Sequence, residues 1–213
     1  MPHMLLRDRE EEIARLHDRK PTYFFMDPFF IPLAKTKNWK NPEFYVKLHN
    51  FYCDYGSAEV EPTINNVDFI FLPTCVEENH RIPFVFSVKT WGVVILDPLY
   101  DDPSYLEEEE IVTEMLPELI RFCERRQHVL PEGPAAISAL IRRPKQSNYT
   151  DCGIFVMKYM DYMLQGFHIQ SMTWTTSDVE TFRYRIAKEI QRGKSRMIPG
   201  FLMKQRPENA SRA

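Results

Sequence analysis

Apolar residues change their period several times along the chain, and each change marks a candidate element. Val67 to Leu72, Ile82 to Val88, Trp91 to Leu96 and Ile137 to Ile141 are short runs rich in β-branched and aromatic residues, the composition of strands. Only Lys89-Thr90 separates the second run from the third, so these two are expected to pair antiparallel, with Pro83 where the ladder does not need its N–H. Helical spacing marks Pro42 through Phe44, Val46, Leu48 and Phe51. It also marks Ser104 to Arg126, where Ile111, Met115, Leu119 and Phe122 form one face and Pro117 should kink the helix. Ser104 with Glu107 reads as a capping box for that helix. Ser177 with Glu180 reads as another, opening a last helix through Val179, Phe182, Ile186 and Ile190. Gly153 to Leu164 is apolar nearly all round, the mark of a central buried helix. Residues 7 to 19 read as a short, mostly solvated helix, and Tyr23 to Ala34, interrupted by Pro28 and Pro32, as packed but irregular.

Helices around a small, largely antiparallel sheet make the expected class α+β. The expected organisation is an N-terminal helix or truncated edge at 1–20, one domain at 21–192, and a loose basic tail at 193–213. Length (213 residues), 44% apolar and 27% charged residues suit one globular domain. A net charge of −3 gives no pull toward nucleic acid or membrane, and no apolar run is long enough to span a bilayer. Four cysteines without a C-x-x-C pair argue against a zinc site or a disulfide framework and favour a reducing nucleus or cytoplasm.

In such a compartment a thiol can be a nucleophile, and Cys152 is the best placed. The polar segment Gln146 to Asp151 runs directly into the buried helix, so Asp151 becomes a natural N-cap and Cys152 falls in the first turn. The positive end of the helix dipole favours a thiolate there, and Gly153 keeps bulk away from the sulfur. Cys53, Cys75 and Cys123 lie within helix or strand patterns and read as buried structural cysteines. Of six histidines, His3, His17, His49, His128 and His168 sit near an end, on helices or after helix ends. His80 alone opens a strand after a loop, at Thr74 to Asn79. Asp97 ends the neighbouring strand and could orient the imidazole, with Asp102 as a rival and a simple turn role as the bland reading.

The string Q-x-N-x-x-D-C-G, formed by Gln146, Asn148, Asp151, Cys152 and Gly153, resembles the nucleophile motif of the ubiquitin-like-protein-specific, or SUMO-specific, cysteine peptidases. The order His80, Asp97, Gln146, Cys152 fits the same family, with similarity running from about Tyr23 to Arg192. The resemblance implies a papain-like fold. It also implies Cys152 as nucleophile, His80 as proton carrier, Asp97 as its partner, and Gln146 with the Cys152 N–H as oxyanion donors. Arg81, Asn148, Asp151 and Gly153 are expected to bind substrate. The implied partner is a SUMO-like modifier cleaved after its Gly-Gly tail by a monomer needing no metal, cofactor or nucleic acid. Arg81 departs from the family's Trp, Pro83 enters a strand that normally runs uninterrupted, and the family's N-terminal Trp-Leu-x-Asp region is not evident. These departures leave the choice of modifier open and give an impaired modifier-binding module as the alternative. Acyl transfer is a third reading; it would need a basic pocket, and Arg142, Arg143 and Lys145 are as easily a solvated strand end.

Overall fold

The computed structural model describes residues 2–36, 39–52, 64, 67–77, 79–101, 103–123, 130–139, 142–174 and 176–192. Cys53, Asp102, His128 and the tail from 193 lie outside the described residues, as do the side chains of His3 and His49. The elements are α1 (Pro2–Leu16), β1 (Tyr23–Phe25), α2 (Phe30–Thr36), α3 (Pro42–Tyr52), β2 (Phe69–Val76), β3 (His80–Ser87) and β4 (Gly92–Ile95). There follow α4 (Leu106–Glu110), a π-helical turn (Ile111–Met115), α5 (Leu116–Cys123), β5 (Ala136–Ala139), α6 (Cys152–Leu164), a 3₁₀ turn (Ile169–Ser171) and α7 (Thr176–Arg192).

The strands form one five-stranded sheet in the order β1-β2-β3-β4-β5. Its centre is antiparallel, as the short Lys89-Thr90 link predicts, but β1 joins β2 and β5 joins β4 in parallel, so the sheet is mixed. The strand β1 lies within the segment expected to be irregular: Met26 N–H donates to Phe71 O and carries the pairing one residue further. Strand alternation divides the core. Ile70, Leu72, Ile82, Phe84 and Phe86 face α2, α3 and the α4–α5 arm, while Phe71 and Val85 face α6 and α7. Burying such a Phe contributes about 2–3 kcal/mol.

Pro83 sits mid-strand opposite Pro73 without breaking β3. Its carbonyl accepts Leu96 N–H at 3.1 Å, toward the β4 side. In an antiparallel ladder N–H and C=O of one residue point the same way, so no β2–β3 bond is lost.

Three local expectations change. The first helix is packed rather than solvated: Leu6, Arg9, Glu10, Ile13 and Ala14 are all buried. Arg9 pairs with Asp161 of α6 and with Glu189 of α7. In the long helical arm, Leu116 N–H bonds Ile111 O five residues back. This wide turn resets the apolar stripe to Ile111, Met115, Leu119 and Cys123, and Phe122 is exposed. The first capping box does not form at Ser104, and α7 starts one residue before Ser177. Tyr105 is the N-cap of α4 and donates its N–H to Glu109 Oε1 at 2.8 Å, while Ser177 lies inside α7. On α7, Ile190 is exposed and Glu189 takes the buried position. Among the described residues no helix is long and apolar enough to cross a membrane.

Candidate active site

Strand β2 runs on to Val76, Glu77 turns the chain in the left-handed region (φ 52°), and β3 begins at His80. The same face of the molecule receives the C-terminal end of β4 and the N-terminus of α6. Antiparallel pairing of β3 with β4 carries Asp97 back beside the imidazole: His80 Nε2 lies 2.9 Å from Asp97 Oδ1. The His80 ring also meets Tyr100 edge-on, with centroids 5.5 Å apart.

Asp97 is fully enclosed. Burial alone would raise its carboxyl, but bonds from His80, Tyr105, Tyr100 N–H and Leu99 N–H outweigh burial and hold it below the ordinary carboxylate value. An ionised carboxylate only accepts, so the shared proton belongs to His80 Nε2 and the Nδ1 lone pair is left available.

Cys152 opens α6, with its Sγ 3.7 Å from the Asn79 carbonyl, the peptide that leads into His80. The thiol is buried, at 2% exposure. Gly153 faces Arg81: a Cβ built on the glycine would lie 3.5 Å from Arg81 Cδ, so the arginine's stem passes over the first turn of α6. Arg81 itself is exposed.

The loop before the thiol is held from within. Asn148 Oδ1 accepts from Thr150 N–H (3.0 Å), Thr150 Oγ1 (3.1 Å) and Asp151 N–H (3.0 Å), and Asn148 Nδ2 donates to Asp151 Oδ2 (2.8 Å). Asp151 is the N-cap by position, yet its carboxylate makes no capping bond and pairs with Arg183 of α7. The polar atoms of Asn148 and Asp151 are thus engaged within the chain. Gln146 N–H donates to Pro98 O at 2.9 Å, which ties this loop to the Asp97 turn. Its side-chain amide is buried without a hydrogen-bond partner among the described residues. A buried amide in that state costs about 1–3 kcal/mol, tolerable where a ligand is to be bound.

A model of the Ulp1 protease family's C-terminal catalytic domain matches residues 2–196. The chain belongs to the Ulp1 protease family. A putative ubiquitin-like-specific protease 1B from Arabidopsis thaliana is 24% identical over 182 residues, covering 76% of this chain and 51% of the relative. The chain therefore spans about half the length of that curated relative. The Ulp1-like SUMO protease catalytic domain of Chaetomium thermophilum superposes with a TM-score of 0.63 at 19% identity, over 91% of this chain and 71% of that one. Yeast Ulp1's C-terminal protease domain in complex with SMT3, the yeast ortholog of SUMO, gives 0.59 at 17% identity, over 88% and 75%. At such identities these likenesses establish the Ulp1 fold, in which the expected papain-like arrangement of helix and sheet is present.

Sequence reasoning missed the residues that surround Asp97 in this Ulp1-type domain. Tyr105 donates its hydroxyl to Asp97 Oδ2 at 2.5 Å. Arg143, expected at a solvated strand end, is buried and donates to the backbone carbonyls of Asp97 and Tyr100. No local motif marks either one, because both reach the site across loops. Cys75, expected to be buried, is exposed at the end of β2 opposite Arg81, since the outward face of that strand end is uncovered; Cys123 is buried as expected.

Proposed function

We propose that this domain is a cysteine peptidase that cleaves the peptide or isopeptide bond after the Gly-Gly tail of a ubiquitin-like modifier, SUMO-like by default. The observation that carries the reading is the 2.9 Å His80–Asp97 contact, together with a thiol at the start of α6 whose Sγ lies 3.7 Å from the Asn79 carbonyl, one peptide before His80. With Nε2–H given to Asp97, His80 Nδ1 takes the Cys152 proton as sulfur attacks the scissile carbonyl carbon. The imidazolium then protonates the departing amine, leaving a thioester that water cleaves with His80 again acting as base. Gln146 and the Cys152 N–H are assigned to the oxyanion, Arg81 and Gly153 to the tail's backbone path. SMT3 bound to the yeast relative supports a SUMO-like partner. A monomer working in the nucleus or cytoplasm, without nucleic acid or membrane, is part of the same proposal.

The test is a panel of SUMO, ubiquitin and other modifiers carrying a C-terminal electrophile. Labelling by one of them that Cys152→Ala abolishes is the expected result; labelling that survives Cys152→Ala removes the assignment. The 2% exposure of Cys152, with the Arg81 stem over the adjacent Gly153, favours a second reading, a modifier-binding module without turnover. Measurable modifier binding with no labelling and no cleavage of a tail-extended modifier would select it.

A further inference from the structure

The carboxylate beside His80 is held by more bonds than orienting an imidazole requires. Asp97 Oδ1 accepts from His80 Nε2 (2.9 Å), Leu99 N–H (2.7 Å) and Tyr100 N–H (3.0 Å). Those three bonds converge on one oxygen, about which the carboxylate could still pivot. The other oxygen, Oδ2, accepts the Tyr105 hydroxyl at 2.5 Å. A second fixed point removes the pivot.

The donor is itself rigid. Tyr105 is buried, with its ring in the core that packs α4 against the sheet. Its N–H donates to Glu109 Oε1 at 2.8 Å and its C=O accepts Glu109 N–H at 2.7 Å, fixing both of its backbone polar groups to the first turn of α4. Burial, with the bond to Asp97 next, pushes the phenol well above its ordinary range, so the hydroxyl keeps its proton as a donor.

We propose that Tyr105 is a positioning residue for the reaction: by fixing Asp97 Oδ2 it keeps the His80 proton on Nε2 and leaves Nδ1 free to serve as base. The inference rests on the peptidase reading of Cys152 and adds a residue that no motif marked. An ordinary core hydrogen bond would stabilise the domain just as well, but its effect would not depend on the carboxyl group at position 97.

A double-mutant cycle on the full chain separates the two, read by cleavage of a tail-extended SUMO. Tyr105→Phe is expected to lower kcat about tenfold, with KM within about twofold, the weight of one hydrogen bond to a charged group. In the Asp97→Asn background the same change should cost less than about twofold. An equal loss in both backgrounds, or a kcat within about twofold of the parent, overturns the proposal. Nitrogen-15 NMR of the His80 ring reads the same point without turnover. The parent should show the Nε2–H tautomer and Tyr105→Phe a mixture; an unchanged tautomer overturns the proposal. If the parent cleaves no modifier, the peptidase reading fails while the NMR still decides the part played by Tyr105. Should Tyr105→Phe fold poorly, 4-aminophenylalanine at that position keeps the shape and gives a weaker donor. A shifted tautomer is then expected, and an unshifted one counts against the proposal.

Discussion

Arg183, on the last helix, is ion-paired with Asp151, the residue immediately before the Cys152 thiol. The pair stands where a thiolate would form, so an uncompensated Asp151 would oppose that charge through space. The Arg183 side chain is 47% exposed, which leaves the pair open to solvent screening.

Arg183→Ala is therefore expected to slow labelling of Cys152 by a modifier electrophile about twofold at low salt. The difference should fade as ionic strength rises past roughly 1 M, where the screening length is about 3 Å. A loss of rate that ignores salt would mean that Arg183 acts by packing instead.

Asp97 gives a pH dependence with a definite sign. Its carboxyl is held below 3.8 in the folded protein, so its contribution to stability is present above that value and lost as pH falls through the folded one. Asp97→Asn should cost about 1.5–3 kcal/mol at neutral pH, the worth of hydrogen bonds to a charged group. Thermal melts should show that deficit constant down to about pH 5 and shrinking below 3.8. A deficit that grows on acidification would reverse the sign and refute the account.

Arg9 joins three helices, since Asp161 and Glu189 both pair with it in a nearly dry site. Arg9→Ala leaves the buried Asp161 and Glu189 to the longer, partly exposed Arg185 contacts, at 3.5 and 3.3 Å, and should cost about 3 kcal/mol in urea unfolding. Replacing all three residues with Met and Leu should recover most of the loss, because the desolvation penalty goes with the charges. A triple variant as unstable as Arg9→Ala would show that the ion set, and not its burial cost, decides this junction.

Gly153→Ala separates folding from substrate approach. The new methyl would meet only Arg81 Cδ at 3.5 Å, an ordinary contact. Helix propensity then favours the variant by up to about 1 kcal/mol. Modifier cleavage should nevertheless fall, with KM rising, if the tail's backbone passes over this glycine. Unchanged kinetics in a stabilised variant would remove Gly153 from the substrate path.

The places of His80, Asp97 and Cys152 in the fold were legible because each sits at an element boundary: a strand start, a position just past a strand end, and a helix start. Boundaries on one edge of a sheet gather together once the pairing is known. Tyr105 was hidden by its neighbours, because Ser104 and Glu107 imitate a capping box one residue before the actual N-cap. The exposed Phe122 was hidden by the π-helical turn, which shifts the stripe in a way that a 3.6-residue period cannot register. Strand β1 is too short for periodicity to detect and exists by pairing with β2. The buried Arg9 and Glu10 read as solvent-facing because their partners lie outside the helix, on α6 and α7 for Arg9 and at Arg19 and Thr22 for Glu10.

Pro117 brings a nitrogen without hydrogen into the helical arm, and so cannot serve the carbonyl of Thr113 one turn back. That carbonyl accepts Ala135 N–H at 2.7 Å, one residue before β5 begins. A gap in the bonding of one element thus becomes the peg on which another hangs, and the outermost strand takes its height on the sheet from an imperfection in a helix. Restoring a donor at position 117 would leave the helix more regular and the sheet's far edge with a competitor for its tether.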